Sequence, residues 1–93
     1  MSMTSHFIRN PDITIREVDD VAFLVHPETD ALYHLNPLGT ALWRLLKDGV
    51  SEEDAIEIIC MAFPEADEKA VKMDIGALLT EFDDHNLVIR LGV

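Results

Sequence analysis

The chain has a single cysteine, Cys60, which excludes an internal disulfide and any multi-cysteine metal site. Basic residues are scarce: seven Lys and Arg stand against 18 Asp and Glu, a net charge of −11 over 93 residues. That balance argues against a nucleic-acid binder, whose affinity rests on cations neutralising phosphates. It also disfavours docking on anionic membrane surfaces. No apolar run reaches the length of a membrane span, and MSMTSHFIRNPD lacks the apolar stretch of a secretory signal. A soluble cytoplasmic protein is expected. The glycines, Gly39, Gly49, Gly76 and Gly92, lie far apart, so there is no phosphate-cradling loop.

What is present is an ordinary globular composition, 48% apolar and 27% charged, with chain enough for one modest core. Residues 1–12 are polar and close on Asn-Pro-Asp, which reads as a flexible N-terminal arm ahead of a single domain over residues 13–93. Ile13 to Val18 alternates as a strand does, and Asp19-Asp20 supplies a turn. Val21 to His26 is a nearly continuous apolar run that suits a central strand. Pro27 to Asp30 is a second turn, leading into the strand Ala31 to Leu35. Two short connections in a row predict a three-stranded antiparallel meander with its third strand at an edge.

The stretch Ala31 to Leu46 is the joint of the molecule, a strand that turns directly into a helix. Asn36 stands at the N-cap and Pro37 at the first helical position. Leu38, Ala41, Leu42, Leu45 and Leu46 then form one apolar face. Trp43, beside that stripe, reads as core. Gly49 ends the helix after Lys47. Ser51 caps a second helix, with Asp54 three residues on as a capping-box variant. Its stripe is Ala55, Ile56, Ile59 and Phe63, and Pro64 ends it. Asp67 caps a third helix whose core face is Val71, Ile75, Leu78, Leu79 and Phe82. Asn86 suits a left-handed C-terminal position, and Leu87 to Leu91 reads as a short final strand. The class is α+β: the meander, three helices and a C-terminal strand.

Candidates for chemistry are few. His6, His26, His34 and His85 are scattered, and at best His26 and His34 meet across a turn, too few ligands for zinc. Cys60 shares its helix with Glu53, Asp54 and Glu57, not the electropositive setting that activates a thiol. No carboxylate pair is marked out for acid–base work. No catalytic, cofactor or metal residue is assigned, and no enzyme is expected. The third helix has a second stripe, Met73, Gly76, Ala77 and Thr80, mostly of small residues. An interior glycine costs about 1 kcal/mol against alanine, so Gly76 points either to close packing or to a groove that admits another backbone. Lys69 and Lys72 flank this side, ready either to hold a partner's carboxylate or to balance Glu65, Glu68 and Asp74. An edge strand beside such a helix suits strand addition by a peptide. A proline at Tyr33 would test this if that N–H points outward.

The chain resembles the PqqD family from about Ile13 to Val88. The residues that carry the likeness are Leu24-Val25-His26-Pro27-Glu28, Leu35-Asn36-Pro37, Asp48-Gly49, the Ser51–Ile59 helix start, Asp74-Ile75, Leu78-Leu79 and Leu87-Val88. The resemblance implies a winged helix-turn-helix-like fold, the RiPP recognition element. It implies a non-catalytic chaperone that binds the leader of a ribosomally made precursor peptide as an added strand. The leader would lie along Ala31, Leu32, Tyr33, His34 and Leu35, against a helix bearing Lys69, Lys72, Met73, Gly76 and Thr80. The implied partners are the precursor peptide and a modifying enzyme, often a radical SAM protein. The hairpin between Pro27 and Asn36 is longer than in PqqD proper. A relative serving another peptide pathway therefore fits as well as the pyrroloquinoline quinone protein. The rival readings are a dimerisation or protein-interaction subunit and, less favoured on charge, a DNA-binding winged helix. A leader chaperone is expected to be a monomer or a weak homodimer.

Overall fold

The computed structural model describes residues 6–19 and 21–91. Within them the order is β1 (His6–Arg9), β2 (Thr14–Val18), β3 (Val21–Val25), β4 (Leu32–Leu35), α1 (Pro37–Leu45), β5 (Val50–Ser51), α2 (Glu52–Ala62), α3 (Glu68–Asp84) and β6 (Val88–Leu91). The three helix starts are side-chain caps. Asn36 Oδ1 accepts from the Gly39 N–H at 2.7 Å, Ser51 Oγ from Asp54 N–H at 3.1 Å, and Asp67 Oδ1 from Lys69 N–H at 3.3 Å. Each satisfies a donor that the first helical turn leaves without an internal partner.

β2, β3 and β4 form the expected antiparallel meander, in that order across the sheet. In the β3–β4 connection Asp30 takes a left-handed backbone, φ 56°. Its N–H donates to the carbonyl of His26 at 2.8 Å, while His26 N–H donates to the Ala31 carbonyl at 3.1 Å. This is the G1 type of bulge, with Asp in place of the usual glycine. His26, 7% exposed, steadies the turn further, because its Nδ1 accepts from Glu28 N–H at 3.2 Å. The bulge fixes the register beyond it: Leu32 faces Val25, Tyr33 faces Leu24, His34 faces Phe23 and Leu35 faces Ala22.

The expected arm over residues 1–12 is corrected from His6 onward, while residues 1–5 lie outside the described residues. His6–Arg9 is the middle strand of a second sheet, ordered β5-β1-β6, and Phe7 is buried at its centre. The short strand β5 was likewise not expected. The reason for both is distance along the chain. β1 pairs His6 with Leu91 and Ile8 with Ile89, so no local pattern declares it. Arg9 then locks the strand to α1. Its N–H donates to the Leu46 carbonyl at 3.0 Å and its Nε–H to the Trp43 carbonyl at 2.8 Å. The guanidinium stands 5.0 Å over the Trp43 ring. The guanidinium thus adds a bond to a carbonyl in the last turn of α1, where the helix dipole favours a cation. Burial lowers the Arg9 pKa from its ordinary value, opposed by the nearby charges of Asp48 and Glu17.

The core gathers Leu24, Leu42, Trp43, Leu46, Ile59, Ile75, Leu79 and Leu87, all essentially inaccessible. Each such side chain contributes about 1.5–3 kcal/mol by leaving water. Trp43 packs edge-on against Phe82 at 5.9 Å. One residue assigned to a core stripe is displaced outward: Phe63, just beyond α2, is 42% exposed. Leu78 is half-buried and packs against the core. Both also line surface hollows. Close packing does not account for Gly76. A Cβ there would meet only Glu52 Oε1, at 3.9 Å, so no strand or helix backbone presses on it.

Candidate functional site

Among the described residues β4 has a strand partner on one side only. Antiparallel ladders alternate hydrogen-bonded and non-hydrogen-bonded pairs. Since His26 N–H bonds the Ala31 carbonyl, the next bonded pair on the ladder is Leu24 with Tyr33, and then Ala22 with Leu35. The main-chain groups of Tyr33 and Leu35 therefore point into the sheet, and those of Leu32 and His34 point out from its edge. Tyr33 is accordingly corrected as the residue whose N–H would face outward. That role belongs to Leu32 and His34.

The open edge overlooks a cleft of about 370 Å³ lined by Leu32, Tyr33, His34, Leu35 and Asn36 on one side and Leu78, Glu81, Phe82 and Leu87 on the other. Tyr33 reaches across its end, its hydroxyl 3.3 Å from His85 Nδ1 and its ring 5.0 Å from the imidazole. A second hollow of about 380 Å³ adjoins at Asn36. It is walled by Pro37, Leu38, Phe63, Ala66, Ala70 and Val71, with Asp67 and Asp74 at its rim. On the other face of the sheet, His34 packs edge-on against Phe23 at 5.3 Å.

Of the residues expected at the site, Leu32, Tyr33, His34 and Leu35 line the cleft, and Ala31 continues the same strand line. The five expected on the helix wall do not. Lys72 lies in a separate groove against α2, among Glu53, Glu57 and Glu68. Gly76 faces Glu52, Met73 is 76% exposed, Thr80 returns its hydroxyl to the Gly76 carbonyl at 2.9 Å, and Lys69 is exposed. The α3 residues that do line the cleft are Leu78, Glu81 and Phe82. Asp74, in the adjoining hollow, and His85, against Tyr33, extend the Leu78–Glu81 face at i, i+4, i+7 and i+11. Sequence reading assigned Leu78 to the core alone, whereas it packs against the core and also lines the cleft. A half-buried leucine between two acids at helical spacing was the available signal.

These features define a small α+β domain of winged-helix-like form, in which the strand β4 lies at a sheet edge beside α3. The family model of PqqD, coenzyme PQQ synthesis protein D, matches residues 22–88, and the chain belongs to that family. Two solved structures share the fold. One, described as TbiB1 in complex with the TbiA(beta) leader peptide, is similar at TM-score 0.75 and 23% identity, over 87% of this chain and 93% of the other. The second, a lasso peptide synthetase B1 complexed with the leader peptide, is similar at TM-score 0.74 and 22% identity, over 89% and 96%. Among curated proteins, none matches significantly. No helix among the described residues is long and apolar enough to cross a membrane.

Proposed function

We propose that this protein binds the leader of a ribosomally synthesised precursor peptide by strand addition to β4 and presents it to a modifying enzyme. The observation that carries the reading is the outward main chain of Leu32 and His34 at the lip of the cleft. An extended peptide would complete the ladder there and drop alternate side chains between β4 and α3. The binding residues are Leu32, Tyr33, His34 and Leu35 with Leu78, Glu81 and Phe82. Membership of the PqqD family supports the role, as does the likeness to two proteins described in complex with leader peptides.

The protein is on this reading a non-catalytic partner, active in the cytoplasm where the precursor is made. Its enzyme is of the radical SAM kind or another modifying type, in pyrroloquinoline quinone synthesis or in a related peptide pathway. It works as a monomer or weak homodimer. The test uses the peptide encoded next to this gene. Its leader should shift the amide NMR signals of residues 31–35 and 78–85. Shifts confined to α2 would refute the site, and no binding would refute the function.

A further inference from the structure

We infer that the peptide taken up in this cleft carries a cationic side chain, Lys or Arg, on the face turned to α3, where Glu81 receives it. The inference rests on the strand-addition reading and adds the chemistry of the ligand. The α3 wall presents two carboxylates, Glu81 in the cleft and Asp74 at the rim of the adjoining hollow. Among the described residues no Lys or Arg lines either hollow. Among the described residues the ion pairs are Arg44 with Glu17 and Arg90 with Asp83, so Glu81 and Asp74 have none. Of the other bases, Arg9 is bonded to α1 and Lys72 lies in the groove on α2, while Arg16, Lys47 and Lys69 line neither hollow.

A strand laid along β4 covers Glu81 from water, and the three kinds of incoming side chain then separate. An acidic one meets like charge across a short, poorly screened gap. An apolar one leaves the carboxylate partly desolvated with nothing in return. A lysine or arginine restores a partner and forms a charge-assisted hydrogen bond. Glu81 therefore discriminates by rejecting as well as by attracting. The net charge of −11 adds an attraction for cationic peptides at a distance.

The test is a selection from an mRNA-displayed library of random 15-residue peptides on the full chain. Selected peptides should share a Lys or Arg at one aligned position. Their binding should be lost on N-methylating alternate backbone amides, which reports strand pairing without altering the protein. Glu81→Gln should weaken these peptides about tenfold, as loss of one charged contact does, and reduce the sensitivity of their binding to added salt. A selection repeated on Glu81→Lys should favour acidic residues at the same position. Peptides with the alternating N-methyl signature but no basic residue, or indifferent to Glu81→Gln, would overturn the charge inference and leave strand addition standing. No binders, or binders without that signature, would overturn strand addition itself.

Discussion

Leu24 and Tyr33 face each other across β3 and β4 as a hydrogen-bonded pair, and this turns the N–H groups of Leu32 and His34 out of the sheet. Proline lacks an N–H, so its effect at each position should differ in kind. His34→Pro should keep the fold, seen as an unchanged far-UV circular dichroism spectrum, and lose peptide binding. Tyr33→Pro removes a ladder bond inside the sheet and should lower the unfolding midpoint instead. Equal destabilisation by both would show that the register is wrong.

Glycine positions separate conformational need from mere tolerance. Gly49 has φ 87°, where a side chain is strained, so Gly49→Ala should destabilise by about 1–2 kcal/mol. Gly76 lies within α3 with only the Glu52 carboxylate near its missing Cβ. Gly76→Ala should therefore stabilise by up to about 1 kcal/mol, with a rise in Tm of about 4–8 °C per kcal/mol. Thermal melts of the two variants should move in opposite directions, with peptide affinity unchanged in Gly76→Ala.

Arg9 joins the N-terminal strand to α1 through one side-chain bond to a carbonyl and one face of an indole. Arg9→Ala should cost about 1.5–3 kcal/mol, the range for a hydrogen bond to a charged group. Arg9→Lys should recover only part of it, since an ammonium lacks the planar fork that can both stack and donate. Urea titrations of the three proteins give the comparison.

The single tryptophan offers a direct assay. Trp43 is inaccessible, and the Phe82 ring against which it packs lines the cleft. Peptide binding should change Trp43 emission intensity without moving its maximum toward that of a wetted indole. The midpoint should agree with calorimetry on the same peptide. A silent Trp43 at saturating peptide would mean that Phe82 does not respond to the occupant.

What the sequence disclosed was mostly local. The caps at Asn36, Ser51 and Asp67, the left-handed Asn86 and the meander follow from short-range chemistry and were readable in order. β1 and β5 were not, because each exists only by pairing with distant segments. The edge strand of the site was also legible, since two turns and a helix cap bound it. The helical wall was not. Lys69, Met73, Gly76 and Thr80 share the i, i+4, i+7, i+11 spacing of Asp74, Leu78, Glu81 and His85. The two stripes are offset by five residues, roughly 140° around the helix at 3.6 residues per turn. Spacing identifies a stripe; only the placement of α3 across the cleft from β4 decides which stripe faces the strand.

The pairing of His6 with Leu91 has a practical use. Their Cα atoms stand about 5 Å apart, as cross-strand partners do, so a short linker can join them. The chain can then be reopened at the exposed turn between α2 and α3, around Glu65. Such a circular permutant keeps β4 and α3 intact and carries its new ends at Glu65, away from Glu81 and His85, where a dye or a tethered enzyme can be attached.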